Sequence, residues 1–225
     1  MDGKFAIRRQ PSRISKGTII VANASGTCIS DPPEEIHVAA RYLDEAVTAH
    51  MQNNRALAAD LIRAADMPAI HAWLKPIWSN SEQHLVVPAA SIKPTLSKES
   101  RPPARMPSAA QKREIHQRDG YNCRFCGMPV IRPEVRRRIS IAYAEAARWG
   151  TTEAQQHAGF QAMWAQYDHI VPHAHGGTSE IDNMVLTCAA CNFGRGSYLI
   201  EELGITDPRL RSPLRSAWDG LERFQ

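Results

Sequence analysis

Residues 167–196 read YDHIVPHAHGGTSEIDNMVLTCAACNFGRG. The run Tyr167 to Val171 reads as a short strand, Gly176-Gly177 as a turn, and Met184 to Cys188 as a second strand. The residues after Cys188 read as a helix. Polar residues alternate with apolar ones where strand and helix would face each other. The stretch ends in a CxxC knuckle, Cys188-Ala189-Ala190-Cys191, and a second knuckle lies upstream, Cys123-Arg124-Phe125-Cys126. Each places two thiolates around one corner of a tetrahedron, as Zn²⁺ with sulfur ligands requires.

The chain has five cysteines, and the one outside the knuckles, Cys28, reads as a plain thiol. A redox CxxC would usually stand alone in a thioredoxin-like context, so two knuckles point to one structural zinc with four thiolates and no open position. The 61 residues between Cys126 and Cys188 exceed the spacing of common zinc ribbons. Loop closure grows only with the logarithm of length and adds about 1 kcal/mol. A structural zinc contributes on the order of 10 kcal/mol, so zinc prevails.

The long loop carries structure of its own. Pro133 suits the first position of a helix, and Val135, Ile139, Ala142 and Ala146 form a stripe that Gly150 stops. Thr152 and Gln155 make a capping box, and Phe160, Trp164 and Tyr167 fall on one face. These features predict a helical hairpin inserted at 132–166, its aromatic stripe core rather than a base-stacking platform. Before the first knuckle, Ser108 and Gln111 form another capping box, opening a short helix that Asp119-Gly120 closes.

Residues 88–108 hold five prolines and four serines, the composition of an extended linker, and a domain boundary is expected there. Upstream, Ile36, Ala40, Leu43 and Val47 repeat at helical spacing. Leu57, Leu61, Ala64 and Ala65 continue the pattern past Asn53-Asn54, and Pro68 is expected to end it. Ile70 to Trp78 is a shorter apolar segment. Residues 34–87 therefore read as a small helical domain and residues 1–33 as a poorly defined segment. His37, His50 and His71 have no partner motif and read as packed or exposed. The expected class is α+β and mainly helical: a helical region, then a zinc-stapled domain over 109–225.

Charge is unevenly placed. The net charge is +4, yet residues 101–138 carry ten Lys/Arg against three Asp/Glu. Arg136, Arg137 and Arg138 lie in that block, either as a solvated face or as a phosphate-facing surface. No apolar run reaches 18 residues, so no membrane span is expected, and a cytoplasmic protein is.

The order DHIVP, Gly-Gly, NMVL, CxxCN and a following Arg resembles the HNH endonuclease family, with its ββα-metal fold, over roughly residues 109–200. The long 127–167 insertion departs from the common pattern. The resemblance implies that His169 is the general base that deprotonates water, a task suited to an imidazole. It implies that Asp168 and Asn192 hold a catalytic divalent ion, and that Asn183 fixes the loop and orients the base. Hard oxygen ligands favour Mg²⁺ or Mn²⁺. Arg195 matches a usually basic position that would contact phosphate. His173 and His175 read either as exposed loop histidines or as a further ligand or phosphate contact.

The leading expectation is a metal-dependent endonuclease acting on double-stranded DNA. A non-cleaving zinc-ribbon module for nucleic-acid binding or assembly is the alternative, and an RNase is a variant of the first. The N-terminal helical region is expected to meet a protein partner or a second copy of the chain, or to read DNA.

Overall fold

The computed structural model describes residues 23–78, 92–103 and 106–225. The rest of the expected 1–33 segment, the end of the 34–87 region and parts of the 88–108 linker lie outside the described residues. The architecture is mainly helical, with seven α-helices and one two-stranded sheet among the described residues.

Helix α1 (Glu34–Met51) turns the expected stripe inward: Ile36, Ala40, Leu43 and Val47 are all buried. Asn53 breaks the helix at φ 59°, and the Asn54 side chain accepts a hydrogen bond from Leu57 N to start α2 (Arg55–Ala64). On α2 the buried face is Ala58, Ile62 and Ala65, while Leu57 is exposed and Leu61 half-buried. The buried set thus starts one residue later than the expected stripe. Pro68 opens α3 (Pro68–Trp78), filling a first-turn position whose N–H needs no helical partner.

Helix α4 (Ala109–Asp119) carries the Ser108–Gln111 capping box and ends at Gly120, φ 73°. In the insertion, α5 (Pro133–Ala142) forms with Pro133 in its first turn and Val135 and Ile139 buried. The return arm is not the second helix of a hairpin. It consists of turns, the Thr152–Gln155 box on a single 3₁₀ turn, and α6 (Ala158–Ala162). Phe160 is buried, but Tyr167 belongs to a strand, so the expected aromatic face spans two elements.

Strands β1 (Ala165–His169) and β2 (Met184–Cys188) pair antiparallel, Ala165 opposite Cys188 and His169 opposite Met184, and α7 (Ala189–Arg195) comes at once after β2. The 34–78 helices do not keep a core of their own. Ile36, Leu43, Ile62 and Leu74 join one continuous apolar cluster with Phe160, Met163, Leu186 and Phe224, and α3 packs on α6 and α7. Residues 196–225 wrap back over the molecule: Arg132 and Arg138 meet Glu222, and Arg223 bonds Asp44 of α1 at 2.7 Å.

Asp119 is the hidden fastener of this frame. It is 1% exposed and accepts from both Arg118 (2.7 and 2.8 Å) and Leu186 N (3.0 Å). Arg118 in turn donates to Ile181 O and Met184 O, at 2.8 and 2.6 Å. Helix α4 is thereby clamped to the edge of β2. Asp119→Ala leaves Arg118 half-buried without its carboxylate and Leu186 N without an acceptor, so it should cost about 3–5 kcal/mol. A urea unfolding midpoint unchanged from wild type would contradict this role.

Candidate functional site

The sulfurs of Cys123, Cys126, Cys188 and Cys191 all lie within 4.8 Å of one another. Among the described residues they are the one group of three or more His, Cys, Asp or Glu ligands placed to hold a metal. Cys126 Sγ and Cys188 Sγ are 3.7 Å apart. A tetrahedron with arms of the zinc–sulfur length, about 2.3 Å, has edges of about 3.8 Å. The cluster therefore has the dimensions and donor chemistry of a metal site such as zinc. Burial works against a thiolate at Cys123, yet hydrogen bonds from Cys126, Cys188 and Cys191 overcome it and hold that thiol well below its usual range. Cys28 stays outside the group, and burial pushes its thiol up to about 12.

The first knuckle is shaped by Gly127 (φ 79°) and by Cys123 N donating to Met128 O. Arg124 N bonds Leu186 O at 2.8 Å, laying the knuckle on β2. In the second, Cys188 ends β2, caps α7, and its sulfur accepts from Cys191 N at 3.4 Å.

Next to this staple stands the loop that leaves β1. Asn183 Oδ1 accepts from Val171 N (2.9 Å), and its Nδ2 donates to Val171 O (3.1 Å) and Thr178 O (2.8 Å). One side chain closes the loop from both ends. The glycine pair is required twice over. Gly176 has φ +88°, and a Cβ at Gly177 would stand 1.7 Å from Val171 O.

His169, at the end of β1, is 8% exposed, and its Nε2 lies 3.1 Å from Ser179 Oγ. Ser179 is itself buried, and its carbonyl accepts from Gln111 Nε2 at 3.1 Å. The capping residue of α4 thus reaches the histidine through one serine. Ser179 belongs to no motif and Gln111 only to the α4 capping box, and their part in the site shows only once the loop is folded.

Because side chains alternate along a strand, Gln166 and Asp168 share a face, and it is turned to α7. There Asn192 Nδ2 donates to Gln166 Oε1 at 3.3 Å. Arg195, one turn further on, meets Asp168 through two bonds, Nε–Oδ2 at 3.0 Å and Nη2–Oδ1 at 2.6 Å. Arg195 is 1% exposed and is not presented to a phosphate, so that expectation is corrected: its guanidinium is spent inside the fold. Burial pushes the Asp168 carboxyl up, and Arg195 acts against that push. Losing one partner of such a pair costs about 3–5 kcal/mol. Asp168 and Asn192 remain hard oxygen donors on facing elements, suited in type to a divalent ion.

The other expected contacts are scattered. His173 and His175 sit half-buried on a 3₁₀ turn rather than exposed. His173 Nε2 donates to Pro102 O at 2.7 Å, which commits that nitrogen to the chain. Leu96 N bonds Ala174 O at 2.8 Å, so residues 92–103 lie along this turn instead of spanning free solvent. Arg136 lies 3.6 Å over the Trp149 ring, and Arg138 Nε donates to Phe224 O. Burial brings the Arg136 guanidinium down to about 10. Of the three consecutive arginines Arg137 is exposed, Arg136 is half-buried, and Arg138 keeps 41% of its side chain exposed beside Glu222, since neighbours on a helix point about 100° apart. The expected basic face of 136–138 is therefore reduced to Arg137 and Arg138, the latter 3.8 Å from Glu222.

No helix among the described residues is long and apolar enough to cross a membrane. Neither a curated protein nor a solved structure matches the chain. Residues 158–197, from the start of α6 to just past α7, match the family model described as HNH endonuclease.

Proposed function

We propose that the protein is an endonuclease that hydrolyses phosphodiester bonds of double-stranded DNA, with His169 as the general base. The observation that carries this reading is the placement of His169: it ends β1, its ring is held by Ser179, and its loop is closed by Asn183. A base fixed in this way can take the proton of a water lined up on phosphorus, and cleavage then leaves 5′-phosphate and 3′-hydroxyl ends. A hard ion such as Mg²⁺ or Mn²⁺, held by Asp168 and Asn192, would offset charge on the phosphate and on the leaving oxygen. Zn²⁺ at the four cysteines is structural, having no open position. Arg137, Arg138 and His175 are the candidates left to meet phosphate. The N-terminal helices, as part of the same body, are a candidate surface for a protein partner or a second copy of the chain.

One observation favours a second reading. Asp168 is engaged by Arg195, as suits a zinc-stapled module that binds nucleic acid without cutting it. Plasmid nicking with Mg²⁺ or Mn²⁺ separates the two. Wild type should nick, and His169→Ala should lose about a hundredfold or more of the rate, the usual scale of a general base. Asn183→Ala should lower both activity and melting temperature, because it leaves two part-buried carbonyls and one N–H without their partner at once. Equal nicking by wild type and His169→Ala removes the base assignment, and tight DNA binding with no cleavage under any metal supports the second reading.

The metal assignment has its own check. One zinc per chain should survive dialysis, and a strong chelator that extracts it should unfold the β1–β2–α7 unit, seen as lost near-ultraviolet circular dichroism. Retention of that signal in zinc-free protein would show that the four sulfurs hold the fold without an ion.

A further inference from the structure

Helix α7 offers two side chains to β1, one turn apart. Asn192 meets Gln166, and Arg195 meets Asp168. The Asp168 carboxylate is therefore matched in register with a cation that the chain itself supplies. Both of its oxygens accept from the guanidinium, at 2.6 and 3.0 Å. The guanidinium has further anchors that do not involve Asp168. Nη2 also donates to His169 O at 2.5 Å, and Nη1 donates to Tyr198 O at 2.8 Å. Arg195 can therefore let go of Asp168 and still have acceptors where it stands.

A divalent ion and a guanidinium seek the same carboxylate lone pairs, and a bidentate fork occupies both oxygens. We propose that Arg195 is a built-in competitor of the catalytic ion: it neutralises Asp168 in the ion-free protein, and ion binding transfers the carboxylate from guanidinium to metal. This rests on the reading of Asp168 as an ion ligand. The arrangement spares the ion-free protein a buried unpaired carboxylate. It also sets the ion affinity below what the oxygen donors alone would give. Arg195 touches no substrate in this role, so it acts on the ion equilibrium and not on the reacting atoms.

The test is Mn²⁺ binding to the zinc-loaded full chain without nucleic acid, followed by the electron paramagnetic resonance signal of free Mn²⁺. Arg195→Gln should bind Mn²⁺ about tenfold tighter or more than wild type, since the competing charge is gone. Arg195→Lys should fall between them, because an ammonium cannot bridge both oxygens in the same way. Asp168→Asn should lose the site. Mn²⁺ should also raise the melting temperature of Arg195→Gln more than that of wild type. If Arg195→Gln fails to fold, the lysine variant carries the comparison. Equal affinity in wild type and both Arg195 variants, with the site still dependent on Asp168, overturns the competition and leaves Asp168 as a ligand. No Asp168-dependent binding in any variant overturns the ligand reading and the competition with it.

Discussion

Cys188 performs three tasks at one position. It is the last residue of β2, the cap of α7, and one corner of the four-sulfur group. Two five-residue strands are marginal alone, and a seven-residue helix is too short to persist in water. Joining them at a shared ligand turns three weak elements into one rigid unit. The other knuckle lies upstream with 61 residues between, so the same site fixes where the intervening insertion begins and ends. His169, Asn183 and Arg195 keep their relations because the elements under them cannot shift against one another.

Much of this was legible because the signals are local and steric. Four cysteines in two knuckles, a glycine pair and a pair of capping boxes report on distances of two to four residues. Gly176 and Gly177 proved necessary for different reasons, one for its φ and one for the absence of a Cβ. Asn183 was readable as the loop holder, though its two bonds to Val171 and one to Thr178 were not. What stayed hidden depends on which way a side chain points after packing. An arginine behind a nuclease-like motif reads as a phosphate contact until α7 is laid on β1, when Arg195 turns inward to Asp168. Three consecutive arginines read as one basic face, but helical geometry sends Arg136 to Trp149 and Arg138 to the chain's last residues. Asp119 gave no sign beyond its place before Gly120.

The expected division into helical domain, linker and nuclease domain meets a physical obstacle. Ile36 and Leu43 of α1, Leu74 of α3 and Phe160 of α6 belong to one apolar cluster. The buried His157 shows how close the join is: its Nε2 donates to Ile62 O at the end of α2, while Nδ1 accepts from Phe160 N. Polar groups at the junction are thus satisfied across it, as they are within a single core. The insertion and the N-terminal helices act as mutual lids, each covering apolar surface that the other would leave wet.

Residues 92–103 bond to the turn beside His169 at two places, Leu96 to Ala174 and Pro102 to His173. Five residues separate these anchor points in the chain, and the turn they grip is itself fixed by Asn183. The segment therefore works as a ruler of set length. The start of the segment is tied as well, Lys93 N donating to Glu202 Oε1 at 2.6 Å and Lys93 Nζ to Glu201 Oε1 at 3.1 Å. Between Leu96 and Pro102 a change of one residue puts one anchor out of step, and the cost falls on the loop that carries the base. Variation in length among natural versions of this protein should accordingly avoid that interval.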